Sequence, residues 1–434
     1  PQFCRNSQRC NGRWQQPVKA TAMTLSPLAP DSFPDLPPIA GIKLGTAASG
    51  MRYQGRDDLL LISLAPESSV AGVFTLSDTA AAPVDWSRKI AETGTAAAII
   101  TNAGNANAFT GSRGDDAVHE MVNHLASHLD CDAGAIMVAS TGVIGEPLPI
   151  EKLLAALPAA AAALDENGWY DAAEGILTTD TRPKGASLQY QPDSATDKLI
   201  TITGITKGSG MIKPNMATML GYVATDAQVD SELLQRALRL VANKSFNRIT
   251  VDSDTSTNDA VILVATGASG IHIDESNFEH FVAQLEIVFI ELAQSIIRDG
   301  EGASKFVSVV VDGALDSAEA LKVAYTVAES PLVKTALAAS DANWGRILAA
   351  VGRAGVEDLD VSRVSVRLNE VLIVEAGGRA ASYTEAAGEA AMAPEDITIH
   401  VSLNRGAPEK TVTETIWTTD LTYEYVRINA EYRT

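Results

Sequence analysis

Residues 207–221, near the midpoint of the 434-residue chain, restrict the backbone more than any other stretch. They read Lys-Gly-Ser-Gly-Met-Ile-Lys-Pro-Asn-Met-Ala-Thr-Met-Leu-Gly. Gly208 and Gly210 allow positive φ angles and leave backbone amides open to an anion or a carbonyl oxygen. Pro214 ends any helix and holds the chain extended. The stretch is therefore predicted to be a non-helical connection with accessible amide groups.

The same stretch places a small residue, Ala217, before a hydroxyl residue, Thr218. Such a hydroxyl can attack the carbonyl carbon of the preceding residue, and cleavage of that bond would give Thr218 a free α-amine. With a pKa of ~8, this amine can act as general base for the hydroxyl of its own residue, so no histidine is needed. The alternative is an ordinary core or strand threonine, and the spacing by itself favours that alternative.

Composition limits the partners and the compartment. The net charge of −21 argues against nucleic acid or an anionic membrane as partner and suits small-molecule chemistry. No apolar run reaches the ~20 uninterrupted residues of a transmembrane helix. Two of the three cysteines, Cys4 and Cys10, lie in the first segment, and no disulfide framework is implied. We therefore expect a reducing compartment, the cytoplasm.

Residues 1–22 differ from the rest of the chain because they carry basic residues and no acid. We interpret them as a tag and expect them to be disordered. The alternative is the remnant of a targeting peptide, which has the same arginine-rich and acid-free composition. In that case the protein would lie in an organelle matrix or stroma.

Hydrophobic patterns predict alternating strands and helices. Apolar runs predict strands at 59–64, 70–75, 96–101, 136–140, 199–205, 306–311 and 397–403. Amphipathic periodicity predicts helices at 115–129, 151–164, 231–243, 277–298, 318–328 and 331–339. We expect Pro158 to kink or divide its helix, and Asp230 to cap the next one. Residues 184–198 are polar and are predicted to form a hairpin tip, whereas 417–434 are patterned too regularly for a frayed tail.

The motifs of metal and nucleotide sites are missing from the sequence. His124 and His128 are four residues apart on a predicted helix, but no third ligand lies nearby. Asp252, Asp254 and Asp259 lack the glycine and glutamate that a calcium loop requires. We find no Walker loop and no GxGxxG after a strand. No resident metal or cofactor is expected, and the acid- and threonine-rich block at 246–259 is predicted to form a hydrogen-bonded network.

From about Leu25 to Thr434 the chain resembles the ornithine acetyltransferase (glutamate N-acetyltransferase) family of arginine biosynthesis. The resemblance implies an α/β fold with mixed sheets sandwiched between helices, of the self-processing N-terminal-nucleophile kind. The motifs that carry it occur in the family's order and are 102–111, 141–145, 175–181, 207–221, 246–259, 299–305, 340–346 and 417–434.

The resemblance also implies how the chain is processed. The bond between Ala217 and Thr218 is expected to break, giving an α chain, 23–217, and a β chain, 218–434. Thr218 would be the nucleophile. Two copies of each chain would form a heterotetramer.

Further site residues are implied in the same way. Thr141, through its hydroxyl or amide, and Gly142, through its amide, would form the oxyanion hole. The motif at 175–181 supplies a substrate-binding threonine, for which we favour Thr178 although the sequence leaves Thr179 open. The expected substrate-binding residues are Thr178, Lys207, Thr218, Glu301, Asn429 and Thr434.

The implied reaction moves the acetyl group of N2-acetyl-L-ornithine to L-glutamate through an acetyl-Thr218 intermediate. The sequence leaves open whether acetyl-CoA is a second acetyl donor. One alternative is an N-terminal-nucleophile peptidase that hydrolyses small amides, and another is a non-catalytic binding or structural homologue. Lys207, Glu301 and the patterned C-terminal end favour the transferase.

Overall fold

The computed structural model of the chain describes residues 25–192, 198–213, 219–406 and 412–431. Segment 1–22 and three residues of the predicted site, Ala217, Thr218 and Thr434, lie outside the described residues. Within the described part, three larger sheets and the helices that cover them make up the fold.

Two mixed sheets lie at the centre of the fold. The four-stranded sheet consists, in spatial order, of β1 (Ile42–Ala47), β2 (Leu59–Leu64), β4 (Ala98–Asn105) and β5 (Ile136–Val143). The five-stranded sheet consists of β3 (Ser69–Phe74), β11 (Ala260–Ala265), β8 (Leu220–Thr225), β7 (Ile200–Lys207) and β6 (Lys184–Tyr190). Beside them, β9 (Gln228–Val229) and β12 (His272–Ile273) form a two-stranded pair.

The four-stranded and five-stranded sheets pack face to face because their strands are apolar on both sides. Leu60 and Ile62 of β2 share a core with Ile205 and Tyr222 of the five-stranded sheet. Leu59 and Leu61, which point the other way, belong to the core under the helices. Successive side chains of a strand alternate between faces, so a continuous apolar run indicates a strand that is buried on both sides.

Helices cover the outer faces of both sheets. The helices α2 (Ser112–Leu129) and α3 (Ile150–Ala162) pack on the four-stranded sheet, and α5 (Ser231–Lys244) and α6 (Phe278–Arg298) pack on the five-stranded one. Two further helices, α1 (Ala82–Ala91) and α4 (Trp169–Gly175), contact strands of both sheets. The order helices, sheet, sheet, helices confirms the predicted α/β class with mixed sheets sandwiched between helices.

Helix α6 is long and apolar enough to span a membrane if only length and composition are considered, with a mean hydropathy of 1.4. Its side chains Phe281, Leu285 and Phe289 are fully buried in the core beside the five-stranded sheet. Each such burial is worth ~1.5–3 kcal/mol. Packing in the protein core therefore accounts for the hydropathy of this helix.

A seven-stranded sheet forms the last large part of the chain. Its strands, in spatial order, are β10 (Ile249–Thr250), β18 (Val412–Thr419), β13 (Phe306–Ala314), β17 (Asp396–Ser402), β14 (Ser365–Leu368), β15 (Val371–Glu375) and β16 (Gly378–Arg379). The helices of this part are α7 (Ser317–Ala328), α8 (Pro331–Ala338), α9 (Trp344–Gly352) and α10 (Glu385–Met392). The described chain ends in α11 (Tyr423–Glu431), which reaches back toward the two central sheets.

Most predicted elements match the structure to within a few residues, but some local predictions were wrong. Residues 184–190 form strand β6, paired along β7, although their composition is too polar to show it. Asp230 stands at the N-cap of α5, but its side chain makes no capping hydrogen bond. Strand β5 continues past Ser140 through Val143. Pro158 lies inside α3, which continues through it as one helix, so a division into two pieces is wrong and a kink stays a prediction.

Candidate active site

Six of the residues selected from the sequence line one cavity of about 90 Å³. They come from five separate elements, so the fold brings together positions that are far apart in the chain. Met219, which directly follows Thr218, lines the same cavity. The six residues are Thr141, Gly142, Thr178, Lys207, Glu301 and Asn429.

The predicted oxyanion residues lie in a bulged part of β5 rather than in a turn. Pairing between β4 and β5 becomes irregular at Gly104 and Asn105, opposite Thr141 and Gly142. Gly142 has a φ of +127°, and a Cβ atom there would lie 2.3 Å from the carbonyl carbon of Gly104. Only glycine fits this position, which explains the residue type through close backbone approach.

Lys207 contacts the predicted oxyanion residue directly. Its Nζ donates a hydrogen bond to the Thr141 hydroxyl at 3.1 Å and lies 4.0 Å from the Asp180 carboxylate. Burial lowers the pKa of Lys207, and the nearby cation Lys184 acts in the same direction, while Asp180 opposes both. Since the ammonium donates to Thr141, the hydroxyl proton of Thr141 is free to point elsewhere.

A buried network of charges, which the sequence analysis missed, supports Lys207. Lys184 Nζ lies 2.7 Å from Asp180 Oδ1 and 2.6 Å from Asp299 Oδ2. Burial acts against the ionised form of Asp180, but Lys184 and Lys207 hold its pKa well below the usual range. Asp180 also accepts hydrogen bonds from the amides of Gly208 at 2.7 Å and Thr178 at 3.1 Å. The network thus fixes the backbone on both sides of the cavity.

The sequence did contain a weak signal for this network. Asp180 and Asp299 lie inside two of the family-like motifs, next to residues that were assigned roles. Lys184 lies four residues from Asp180, but its distance of 115 residues from Asp299 means that no local pattern indicates the second ion pair.

Glu301 forms another wall of the cavity. Its amide donates to the carbonyl of Ser209 at 3.0 Å, and its carboxylate accepts from Asn429 Nδ2 at 2.7 Å. Burial raises the pKa of Glu301, and hydrogen bonds from Asn429 and Thr179 oppose the increase. A Cβ atom at Gly210 would lie 2.4 Å from this carboxylate, so the glycine makes room for it.

The two candidate threonines occupy different surroundings. Both line the cavity. The Thr179 side chain is hydrogen-bonded to Glu301. Because that hydroxyl is already engaged, Thr178 stays our candidate for a substrate contact.

Helix α11 brings Asn429 to the cavity, where the family resemblance led us to expect it. Asn429 contacts Glu301, and the Tyr425 hydroxyl donates to Asp252 Oδ2 at 3.2 Å. Thr422, just before the helix, donates to the carbonyl of Gly302 at 2.7 Å. These contacts attach the helix to the loop that carries Glu301.

The expected hydrogen-bonded network at 246–259 is present and includes Asn258. Its Nδ2 donates to the carbonyl oxygens of Ala106 and Ser140, the latter at 3.0 Å. Ser140 directly precedes Thr141, so Asn258 ties the bulged strands β4 and β5 together beside the cavity. The sequence indicated this network by its density of polar residues but did not single out Asn258.

The arrangement combines a polarised hydroxyl, a buried ammonium and a buried carboxylate around a small cavity. Donors fixed near a reacting carbonyl stabilise the oxyanion of a tetrahedral intermediate. An ammonium and a carboxylate together can hold a substrate that carries both charges. The geometry therefore suits acyl transfer on a small zwitterionic amide.

Comparisons with known proteins show which family the chain resembles. A model of the ArgJ family matches residues 43–434. The arginine biosynthesis bifunctional protein ArgJ of Pseudomonas fluorescens (strain Pf0-1) is 54% identical over 417 residues, which cover 95% of this chain and 100% of that protein. The protein of the same name from Pseudomonas syringae pv. tomato is 53% identical with the same coverage.

Among solved structures, the arginine biosynthesis bifunctional protein argJ from Bacillus halodurans is 39% identical, with a TM-score of 0.47. The match covers 50% of this chain and 100% of that one. The resemblance inferred from the sequence motifs is confirmed by the family model and by the two Pseudomonas relatives. This chain belongs to the ArgJ family.

Proposed function

We propose that this chain transfers the acetyl group of N2-acetyl-L-ornithine to L-glutamate, giving L-ornithine and N-acetyl-L-glutamate. The observation that carries the proposal is the cavity in which Thr141, Lys207 and Glu301 converge beside Met219, the residue after Thr218. The relatives named as arginine biosynthesis proteins are matched over their whole length, which supports the same pathway for this chain.

The proposed reaction begins with self-cleavage. The Thr218 hydroxyl attacks the carbonyl carbon of Ala217, the peptide C–N bond breaks, and water hydrolyses the resulting ester. The products are an Ala217 carboxylate and a Thr218 with a free α-amine. That amine then serves as general base for the hydroxyl of the same residue.

Acetyl transfer follows in two steps. The Thr218 hydroxyl gives its proton to its own amine and attacks the acetyl carbonyl carbon of N2-acetyl-L-ornithine. The amide C–N bond breaks, the ammonium of Thr218 returns a proton to the leaving nitrogen, and ornithine departs. The α-amine of glutamate then attacks the ester and releases the hydroxyl. This covalent intermediate implies ping-pong kinetics.

The described residues would assist both steps. Thr141, polarised by the ammonium of Lys207, can direct its hydroxyl proton toward the developing oxyanion. Lys207 is also suited to the α-carboxylate of either amino acid, and Glu301 to the side-chain ammonium of the ornithyl group. Thr178, Asn429 and Thr434 complete the proposed set of substrate contacts.

We expect Glu301→Gln to change how activity depends on pH. Burial raises the pKa of Glu301, so on acidification the carboxylate gains its proton at a pH above the ordinary glutamate range. In the native enzyme, kcat/KM for acetylornithine should therefore fall as pH decreases through this raised pKa. The Glu301→Gln enzyme has no carboxylate to titrate there, so kcat/KM should fall less steeply with decreasing pH, with only the limb of the Thr218 α-amine left. Its kcat/KM should also be ~10- to 100-fold lower at neutral pH.

The measurement is kcat/KM for acetylornithine at a series of pH values from about 4.5 to about 8. This range covers the pH at which a carboxyl group with a raised pKa titrates. Glu279→Gln is a matched control, because Glu279 is exposed at the other end of α6. An unchanged acid limb in the Glu301→Gln enzyme would show that another group causes it.

Product analysis tests the proposed function itself. Purified protein incubated with N2-acetyl-L-ornithine and L-glutamate should form N-acetyl-L-glutamate and ornithine in equal amounts. Without glutamate, turnover should stop after the enzyme is acetylated. An N-terminal-nucleophile peptidase would instead release free acetate whether or not glutamate is present, and a non-catalytic homologue would release neither product.

Assembly and cellular conditions belong to the same proposal. The α chain, 23–217, and the β chain, 218–434, would stay together and form a heterotetramer of two copies each. The acetyl group is carried on Thr218, so no resident cofactor is required, and acetyl-CoA would act only as an alternative acetyl donor. We place the enzyme in the cytoplasm, or in an organelle matrix if residues 1–22 derive from a targeting peptide.

A further inference from the structure

The connection between β7 and β8 contains the proposed cleavage bond. Lys207 lies opposite Leu220 in the antiparallel pair, and the structure describes the outgoing part of the connection, 208–213, and its last residue, Met219. The return is fixed at Met219, which is buried and whose carbonyl accepts from the amide of Ala260 at 3.1 Å. The outgoing part is the described stretch that precedes Ala217 and Thr218 in the chain.

Asp252 holds this outgoing part with both of its carboxylate oxygens. Oδ2 accepts from the amide of Met211 at 2.6 Å, and Oδ1 accepts from the amide of Ile212 at 2.9 Å. A carboxylate that binds two successive amides restricts the backbone angles between them. Charge-assisted hydrogen bonds of this kind are about twice as strong as neutral ones.

The backbone held by Asp252 is itself unusual. Met211 has a φ of +57°, in the left-handed region that residues other than glycine rarely adopt. Such a conformation is unfavourable without outside support. The adjacent contacts supply it, since Ile212 is fully buried and its carbonyl accepts from the amide of Val251 at 2.7 Å.

The same carboxylate also connects to the C-terminal helix. Tyr425 of α11 donates its hydroxyl to Asp252 Oδ2 at 3.2 Å, the oxygen that binds the Met211 amide. On the far side of the turn, Lys213 pairs with Glu329 of the seven-stranded part at 3.0 Å. The segment that leads to Ala217 is thus attached to elements that the chain adds much later.

We propose that Asp252 is a positioning residue for self-cleavage at Ala217–Thr218, and that Tyr425 makes cleavage depend on docking of helix α11. The inference rests on the proposed self-cleavage. Asp252 takes no proton and makes no bond in that reaction. It acts through the Met211–Ile212 turn, which sets the direction in which the chain enters the cleavage segment and so the approach of the Thr218 hydroxyl to the Ala217 carbonyl carbon.

The test follows cleavage of the full-length chain over time by intact mass spectrometry after cell-free synthesis. Asp252→Ala should slow cleavage by roughly 10- to 100-fold, because small misplacement of reacting groups costs rates of this order. Asp252→Asn keeps one acceptor and should give an intermediate rate. Tyr425→Phe should slow cleavage by about 2- to 10-fold, since one hydrogen bond to a charged group is lost.

Controls separate positioning from general damage. Glu279→Gln changes an exposed acid of α6 and should cleave at the native rate. Thermal unfolding of each variant shows whether it is folded. Combining Asp252→Ala with Tyr425→Phe should slow cleavage no more than Asp252→Ala alone, because the tyrosine acts through the carboxylate. If Asp252 had only a structural role, its replacement would lower the unfolding temperature, but the effect of Tyr425→Phe on the cleavage rate would not depend on Asp252.

The outcomes distinguish the inference from the function on which it rests. A folded Asp252→Ala or Asp252→Asn chain that cleaves at the native rate overturns the role of Asp252. A Tyr425→Phe chain that cleaves at the native rate overturns the dependence on α11. If the native chain itself stays uncut, the proposed self-cleavage fails first, and this inference fails with it.

Discussion

Replacing Thr218 by alanine should leave the protein as one 45.6 kDa polypeptide and remove acetyl transfer. The substitution deletes the hydroxyl that attacks the Ala217 carbonyl, so the chain would not break and no free α-amine would form. The same hydroxyl carries the acetyl group during turnover. Removing a catalytic nucleophile typically lowers kcat by roughly 10⁴-fold or more, and we expect a loss of that size here.

Thr218→Ser is the matched variant, since it keeps the hydroxyl and, after cleavage, the α-amine. It should still be cut and should keep measurable transfer activity. Intact mass spectrometry reports cleavage through a fragment that begins at residue 218, and N-acetyl-L-glutamate formation reports transfer. An uncut Thr218→Ala chain with native transfer activity would exclude Thr218 as nucleophile, and a cut one would exclude it from self-cleavage.

The strands of the fold were predictable because their apolar runs are continuous. Residues 59–64 were expected to form a buried strand, and β2 is buried on both faces. The sequence did not show how strands are distributed between sheets. The next strand, β3, joins the other sheet because its pairing partner is β11, which lies far away in the chain. Long-range pairing leaves no trace in local periodicity, so the two-sheet arrangement came from the family resemblance alone.

The site was predictable only where residues lie in recognisable motifs. Thr141, Lys207 and Glu301 were selected through such motifs, and the structure places all three around one cavity. Lys184 was missed, because a lysine in a polar stretch normally indicates a solvated surface. It is buried here because two aspartates neutralise it, Asp180 four residues earlier and Asp299 in a distant loop. Pairing of buried charges depends on the assembled fold, and a local pattern cannot show it.

Asp252 was predicted in part, unlike Thr141, which a motif identified, and Lys184, which was missed. The acid-rich block at 246–259 predicted hydrogen bonding near the site, and that much is present. Its actual partners, two amides of the turn before the cleavage segment, could not be inferred because they depend on the left-handed conformation of Met211. Sequence reasoning thus located the polar network but did not identify its role.

Thr141→Val should lower kcat by ~10²- to 10³-fold with little change in KM, because one oxyanion donor is lost and the shape of the side chain is kept. Thr141→Ser should retain most of the activity, since it preserves the hydroxyl that accepts from Lys207. The same donor would assist self-cleavage. The extent of cleavage is therefore measured first by mass spectrometry, and rates are expressed per cleaved chain.

Lys207→Met tests whether the ammonium acts through Thr141. Without it Asp180 keeps its ion pair with Lys184 at 2.7 Å and its hydrogen bonds from the amides of Gly208 and Thr178, so the variant should remain folded. We expect a higher KM from the lost carboxylate contact and a lower kcat from a less polarised hydroxyl. If the effect on kcat passes through Thr141, the double variant that combines Lys207→Met with Thr141→Val should have the kcat of Thr141→Val alone. If the losses in kcat are fully additive in the double variant, Lys207 acts on the reacting atoms independently of Thr141. If Thr141→Val has the native kcat, Thr141 does not form part of the oxyanion hole.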